Sequence, residues 1–343
     1  MSVRNEIILI KPDDWHCHLR DDIYLARTVT DSARQFARVL VMPNLAKPVT
    51  TLEAATSYRD RILKHAPKDF TPLMTLYLTD NMSPDMMREA AGIITACKYY
   101  PAGATTNSDK GIQTLKNIYP LLEQMQSVDL PLCVHGESID KNADIFDREK
   151  LFLTDLKKIS QDFPKLRVIL EHISTQAAVE FIASAPNNIA ATITPHHLHF
   201  NRNDLFCHGI RPHYFCLPIL KRANDQNALI RAAISGNPKF FLGTDSAPHA
   251  KEKKESACGC AGIYSAHAAI EFYAEIFEKN NALDKLENFS SRFGAEFYQY
   301  PVNTAKIALV KKPRKIADNL SFGDTLLSPM KAGEMVSWQI QCP

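Results

Sequence analysis

Residues 15–22 read WHCHLRDD, and the spacing of the two histidines is a chemical statement. In an extended strand, side chains at i and i+2 share a face, so His16 and His18 point together while Cys17 points away. Two imidazoles aimed at one place suggest a metal. An isolated HxH is more often an ordinary polar strand end, so the decision falls to the rest of the chain.

Other residues of the same chemical kind close apolar runs. His135 ends LCVHGE, His172 ends VILEHIS, and Asp245 stands in LGTDSAPH. Each alone reads as a structural residue; together they supply nitrogen and oxygen ligands suited to zinc. Lys98, in ACKYY, is the odd member. With a reference pKa of about 10.4, a lysine is a cation at neutral pH and strongly unfavourable beside buried metal ions. Either it points to solvent or pairs with a carboxylate, or its neutral amine captures carbon dioxide. The resulting carbamate is an anionic oxygen ligand that can bridge two metals.

Apolar, β-branched runs predict strands near 7–16 (broken by Pro12), 38–43, 72–79, 93–100, 131–136, 167–173, 189–195 and 239–244. Between them, segments such as LEAATSYRDRILKHA and TQAAVEFIASA carry apolar residues at helical spacing. Runs apolar on both faces suit parallel strands covered by helices, and this alternation predicts an α/β chain folded as a (β/α)8 TIM barrel. A doubly wound open sheet is the alternative. The barrel is favoured because working residues sit at C-terminal strand ends, where His16, His18, Asn44, Lys98, His135, His172 and Asp245 all fall. The whole chain, 1–343, reads as a single barrel domain, with residues from about 303 to 343 forming a C-terminal extension packed on it.

Composition narrows the partners. The 343 residues are 45% hydrophobic and 23% charged with a net charge of +2, which gives no reason to expect nucleic acid or an anionic membrane. The densest basic run, KEKK at 251–254, reads as a solvated loop. No apolar stretch approaches the roughly 20 residues of a membrane-spanning helix, and the apolar segment near the N-terminus is short for a signal peptide. The expected compartment is the cytoplasm, where reduced thiols such as Cys97 and Cys133 behave as small hydrophobes. Cys258 and Cys260 form a CxC without a second pair at finger-like spacing, and read as a loop with incidental sulfur.

HCHLR at 16–20, MPN at 42–44, KYYPAGATTNS at 98–108, VHGE at 134–137, EHIS at 171–174, CLPILK at 216–221 and GTDSAPH at 243–249 resemble the dihydroorotases of the amidohydrolase superfamily, in their shorter bacterial form. The resemblance keeps the same order from about residue 8 to at least residue 262. It implies that His16, His18, a carboxylated Lys98 (N6-carboxylysine) and Asp245 hold one zinc, and that Lys98, His135 and His172 hold a second. A hydroxide bridging the two would open the ring amide of (S)-dihydroorotate to give N-carbamoyl-L-aspartate. Asp245 would pass the proton to the ring nitrogen, and the reverse direction would serve pyrimidine (UMP) biosynthesis. Arg20 offers a fork for the idle carboxylate, and the resemblance adds Asn44 and His249, with backbone at Leu217 and Ala261 holding the ring.

Residues 102–111 would be a flexible lid bringing Thr105 and Thr106 to substrate. The resemblance also implies a homodimer. It leaves His196, His197 and His199, in PHHLHF, to loop packing or to hydrogen bonding behind the ligands. Departures are modest: Gly103 stands where some relatives have a small polar residue, and the stretch after Ala261 is hard to match. The rival readings are another cyclic amidase, acting on hydantoins or dihydropyrimidines, and a barrel kept as a non-catalytic scaffold.

Overall fold

The computed structural model describes residues 5–341; the expectations for residues 1–4, and Cys342, lie outside them. Pro12 divides the first apolar run, as a residue without an N–H must when a ladder needs one. The result is two strands in two different sheets, β1 (Glu6–Ile10) and β2 (Asp13–Cys17), rather than one strand over 7–16.

Strands β2, β3 (Arg38–Val41), β4 (Thr71–Tyr77), β5 (Ala96–Tyr99), β6 (Leu132–Val134), β7 (Val168–Leu170), β8 (Ile189–Ile193) and β9 (Phe240–Leu242) form one eight-stranded parallel sheet in that order. The order follows the chain, with helices between strands, and gives the nearly closed (β/α)8 barrel that the alternation predicts. The seam between β9 and β2 has no ladder. It is stitched at its C-terminal end by a bridge between Cys17 and Ser246, with Asp245 N donating to His16 O at 2.8 Å and His18 N to Ser246 O at 3.0 Å.

Strand periodicity separates two cores. Leu40, Cys133, Ile169, Ala190 and Phe241 pack with Trp15 and Ala96 in one cluster, closed by Tyr298 stacked on Trp15 at 4.4 Å between ring centroids. Their neighbours Val39, Val41, Leu132, Val134, Val168 and Leu170 turn outward into the larger core with the helices. Each such side chain, once buried, contributes roughly 1.5–3 kcal/mol. Two residues further along the inner face of these strands come Lys98, His135, Thr192 and Gly243. A period of two thus seats the chemistry one layer above an apolar plug.

The tail adds an antiparallel sheet in which β10 (Lys306–Lys315) pairs with β1 and with β13 (Met335–Gln341); β11 (Leu320–Phe322) and β12 (Thr325–Leu327) pair as a separate two-stranded unit. Trp338 is fully buried and donates its indole N–H to Glu278 Oε2 at 3.1 Å, which fixes the tail to the helix Ala269–Lys279. Among the described residues no helix is long and apolar enough to cross a membrane. KEKK departs from the solvated loop expected of it: Lys251–Lys254 is a helical turn, and Lys254 is buried.

Candidate metal centre and substrate pocket

His16, His18 and Asp245 converge above the plug. Asp245 Oδ1 stands 3.0 Å from His18 Nε2 and 3.4 Å from His16 Nε2, and all three residues are buried. Asp245 and His172 hold left-handed backbone, with φ of 44° and 43°. Such strain costs on the order of 1–3 kcal/mol and persists where the surroundings fix it. For Asp245 the neighbouring Thr244 is anchored by Asp14, and for His172 the backbone N–H is held by Thr192 Oγ1 at 2.7 Å. The buried Asp14 carboxylate accepts from His16 N at 3.1 Å and from Thr244 N at 2.8 Å, joining the two ligand-bearing strands across the seam. Gly243 leaves room for the same approach, since a Cβ there would lie 2.7 Å from Thr192 and 3.1 Å from His16 Cβ.

His135 and His172 make the second group. His135 Nδ1 and His172 Nε2 face each other at 3.2 Å, and the His172 ring packs 5.0 Å from that of His16. Glu137 Oε2 lies 2.9 Å from His135 Nε2, and Glu171 Oε2 lies 2.9 Å from His16 Nδ1, although the latter contact is too bent for a hydrogen bond. A carboxylate on one ring nitrogen leaves the other to face a cation, the arrangement found behind many zinc ligands. Thr192 donates to Glu171 at 2.6 Å and accepts from His172 N at 2.7 Å, tying the two groups together.

Burial holds His172 well below the ordinary imidazole range, lowers His135, and brings His18 to about 4 against the pull of Asp245. Neutral imidazole is the form that binds metal. His16 differs: burial lowers it, but the Glu171 charge and the Asp245 contact leave it raised. Burial would raise Asp245, yet contacts from His16 and His18 hold it well below the usual carboxylate range. Lys98 is fully buried on β5, its Nζ has no hydrogen-bond partner, and burial lowers its pKa despite the charges of Glu171 and Asp245. This donor set fits divalent metal: imidazoles of which all but His16 are held towards the neutral form, an ionised carboxylate, and an amine that the site leaves unpaired.

The cavity beside these groups is lined by His16, His18, His135, His172 and Asp245, and also by Arg20, Asn44, Leu217, Ala261, Thr105 and Thr106. Lys98 and His249 are not on its wall. Arg20 Nε donates to Pro248 O at 2.9 Å, and Nη2 lies 3.0 Å from His249 Nε2, which itself lies 2.9 Å from Ala261 O. Asn44 Nδ2 donates to Thr106 O at 3.0 Å, and Thr106 Oγ1 to Ala261 O at 3.3 Å. The segment 102–111 is therefore tied across the cavity to both flanking loops.

In the histidine run, His197 and His199 have hydrogen-bond partners, whereas both ring nitrogens of buried His196 have none among the described residues. His197 contacts Thr194 Oγ1 at 2.8 Å and Pro218 O at 3.0 Å, and His199 Nε2 lies 3.0 Å from Phe272 O. His196, His197 and Cys216 do approach one another closely enough to hold a metal, but both ring nitrogens of His197 are already engaged. Cys258 is exposed and Cys260 half-buried, in the loop leading to Ala261.

Glu171, Glu137 and Asp14 went unassigned from sequence, although Glu171 and Glu137 lie inside motifs that were read for their histidines. Replacing Glu171 with alanine is expected to weaken divalent-metal binding by about 10- to 100-fold, measured by competition with a chromogenic chelator. Unchanged affinity would show that the carboxylate does not orient His16.

Similarity to known proteins agrees with this geometry. The amidohydrolase family model matches residues 8–336. A dihydroorotase of Coxiella burnetii is 59% identical over 341 residues, covering 98% of each chain. The chain belongs to the amidohydrolase family, among its dihydroorotases. The solved dihydroorotase of Campylobacter jejuni is 35% identical with a TM-score of 0.92, covering 100% of this chain and 99% of its own. That of Saccharomyces cerevisiae, in complex with 5-fluoroorotic acid, is 37% identical with a TM-score of 0.90, covering 98% and 99%.

Proposed function

We propose that this chain interconverts (S)-dihydroorotate and N-carbamoyl-L-aspartate, the ring-closing step of pyrimidine (UMP) synthesis, as a zinc-dependent dihydroorotase acting as one barrel domain. The observation that carries the reading is a single cavity lined by His16, His18, His135, His172 and Asp245, with Arg20, held by His249, on the same wall. His16, His18, Lys98 and Asp245 would hold one zinc, and Lys98, His135 and His172 the other. Metal held there would supply a Lewis acid for the scissile carbonyl and would lower the pKa of bound water towards neutrality.

The protein's own groups do the rest. The Lys98 amine, whose neutral form burial favours, would attack carbon dioxide: a nitrogen–carbon bond forms, one proton leaves to solvent, and an anionic carbamate replaces an unpaired amine. Asp245 takes the proton of the attacking water and returns it to the ring nitrogen as the carbon–nitrogen bond breaks, so one carboxylate serves as base and then acid. Arg20, with Asn44 and His249, holds the carboxylate that does not react. Backbone at Leu217 and Ala261 bounds the ring. Thr105 and Thr106 close over it on a lid that excludes water. The 5-fluoroorotic acid in the yeast relative's structure, a ring carrying one carboxylate, supports this assignment. Free buried thiols at Cys17, Cys97 and Cys133 suit a reducing cytoplasm, and the family resemblance suggests a homodimer.

The test is turnover of dihydroorotate by purified protein supplied with zinc and bicarbonate, its loss on chelation and its return with added zinc. A folded, zinc-loaded protein that leaves dihydroorotate untouched would overturn the reading.

A further inference from the structure

Lys254 belongs to a basic run that looks solvated, yet it is 3% exposed. Its neighbour Lys253 is exposed. The Lys254 ammonium donates to three backbone carbonyls, Phe215 O at 2.7 Å, Cys260 O at 2.8 Å and Gly262 O at 2.7 Å. An ammonium has three donors, so this one is saturated without any carboxylate. Burying a cation against carbonyl dipoles alone is costly, and burial pushes the Lys254 pKa down to about 8. A position that tolerates such a cost demands an explanation in what the three carbonyls hold.

They hold two loops of the substrate cavity. Phe215 precedes Leu217, Cys260 and Gly262 flank Ala261, and Leu217, Ala261 and Gly262 all line the cavity. The loops touch directly through one bond, Gly262 N to Phe215 O at 3.0 Å. Gly262 adopts φ of +149°, and a Cβ there would lie 2.6 Å from Ala247 O, so the turn is already as tight as the chain allows. Ala261 O is also the acceptor at which the Thr106 hydroxyl and His249 meet. A shift of the 260–262 segment would therefore move the ring wall, the lid's anchor and the partner of Arg20 together.

We propose that Lys254 is a positioning residue for substrate: by tying the Phe215, Cys260 and Gly262 carbonyls to one ammonium, it sets the Leu217 and Ala261 backbone against which the dihydroorotate ring binds. The inference rests on the functional reading above. It assigns Lys254 an effect on binding and leaves the metal centre to other residues.

The test compares Lys254→Met and Lys254→Gln with Lys253→Met as control, in the zinc-loaded full chain. Both Lys254 variants are expected to raise KM for dihydroorotate by about 10-fold or more while kcat stays within about 3-fold, with zinc content unchanged. Lys253→Met should match the wild type. Peptide-level hydrogen exchange should quicken in 258–263 and stay unchanged in the barrel strands. An unchanged KM overturns the proposal, and so does a fall in kcat and zinc content in step with KM, which marks a general structural role. A wild type that leaves dihydroorotate untouched overturns the functional reading, and the substrate half of this inference with it. Unchanged exchange in 258–263 overturns the tie itself, whatever the substrate.

Discussion

Lys98→Ala is expected to lower kcat/KM for dihydroorotate by more than about 10³-fold and to remove at least one zinc per chain, while the barrel stays folded. Lys98 is 0% exposed, with Nζ 5.1 Å above the Tyr100 ring and no hydrogen-bond partner. An unpaired ammonium so placed would cost several kcal/mol, more than a fold of ordinary stability readily tolerates. A neutral amine avoids that cost, and a carbamate would convert it into an anionic oxygen ligand. Alanine removes the amine and leaves a cavity, and a small carboxylate such as acetate is expected to enter it and restore part of the activity. Two measurements decide the point: zinc content by atomic emission, and the carbonyl signal of protein equilibrated with 13C-bicarbonate, present in the wild type and missing from the variant. A variant that keeps turnover within tenfold would leave Lys98 as a buried structural amine.

The barrel was legible because its signal is local and repeated. Alternating apolar runs and helical segments recur along the chain, and period-two geometry carries Ala96 to Lys98 and Cys133 to His135 without reference to distant residues. Where the backbone breaks that period, sequence reasoning loses the geometry. His172 and Asp245 reach the cavity through left-handed residues, and β2 slips its register between Asp14 and Cys17. The carboxylates behind the ligands share this fate: Glu171 meets His16 across the barrel, and Asp14 meets Thr244 across the seam, contacts between residues far apart in the chain. Lys254 misled for another reason. A run of lysines predicts solvent on average, and only tertiary structure tells which member turns inward onto carbonyls. The composition of 102–111 suggested mobility, while the tie from Thr106 to Ala261 depends on a loop 155 residues away.

Arg20→Met is expected to separate the two kinds of cyclic amidase that such a metal centre can serve. Arg20 is held in left-handed backbone at φ 59°, its carbonyl accepts from the Tyr58 hydroxyl, and its Nε and Nη2 are aligned by Pro248 O and His249. A guanidinium has five donor hydrogens, so these contacts orient the fork and still leave donors for a ligand in the cavity. A carboxylate held by two charge-assisted hydrogen bonds gains roughly 3–6 kcal/mol, which corresponds to about 10²- to 10⁴-fold in kcat/KM. Methionine keeps most of the side chain's length and none of its charge. Dihydroorotate should lose that factor, whereas dihydrouracil, the same ring without the carboxylate, has no such contact to lose and should be turned over at its wild-type rate, however slow. The ratio of the two substrates is the measurement, because a variant that merely disturbed the metals or the lid would slow both alike. Equal losses would remove Arg20 from carboxylate recognition and return the specificity of the site to the hydantoinase-like alternative.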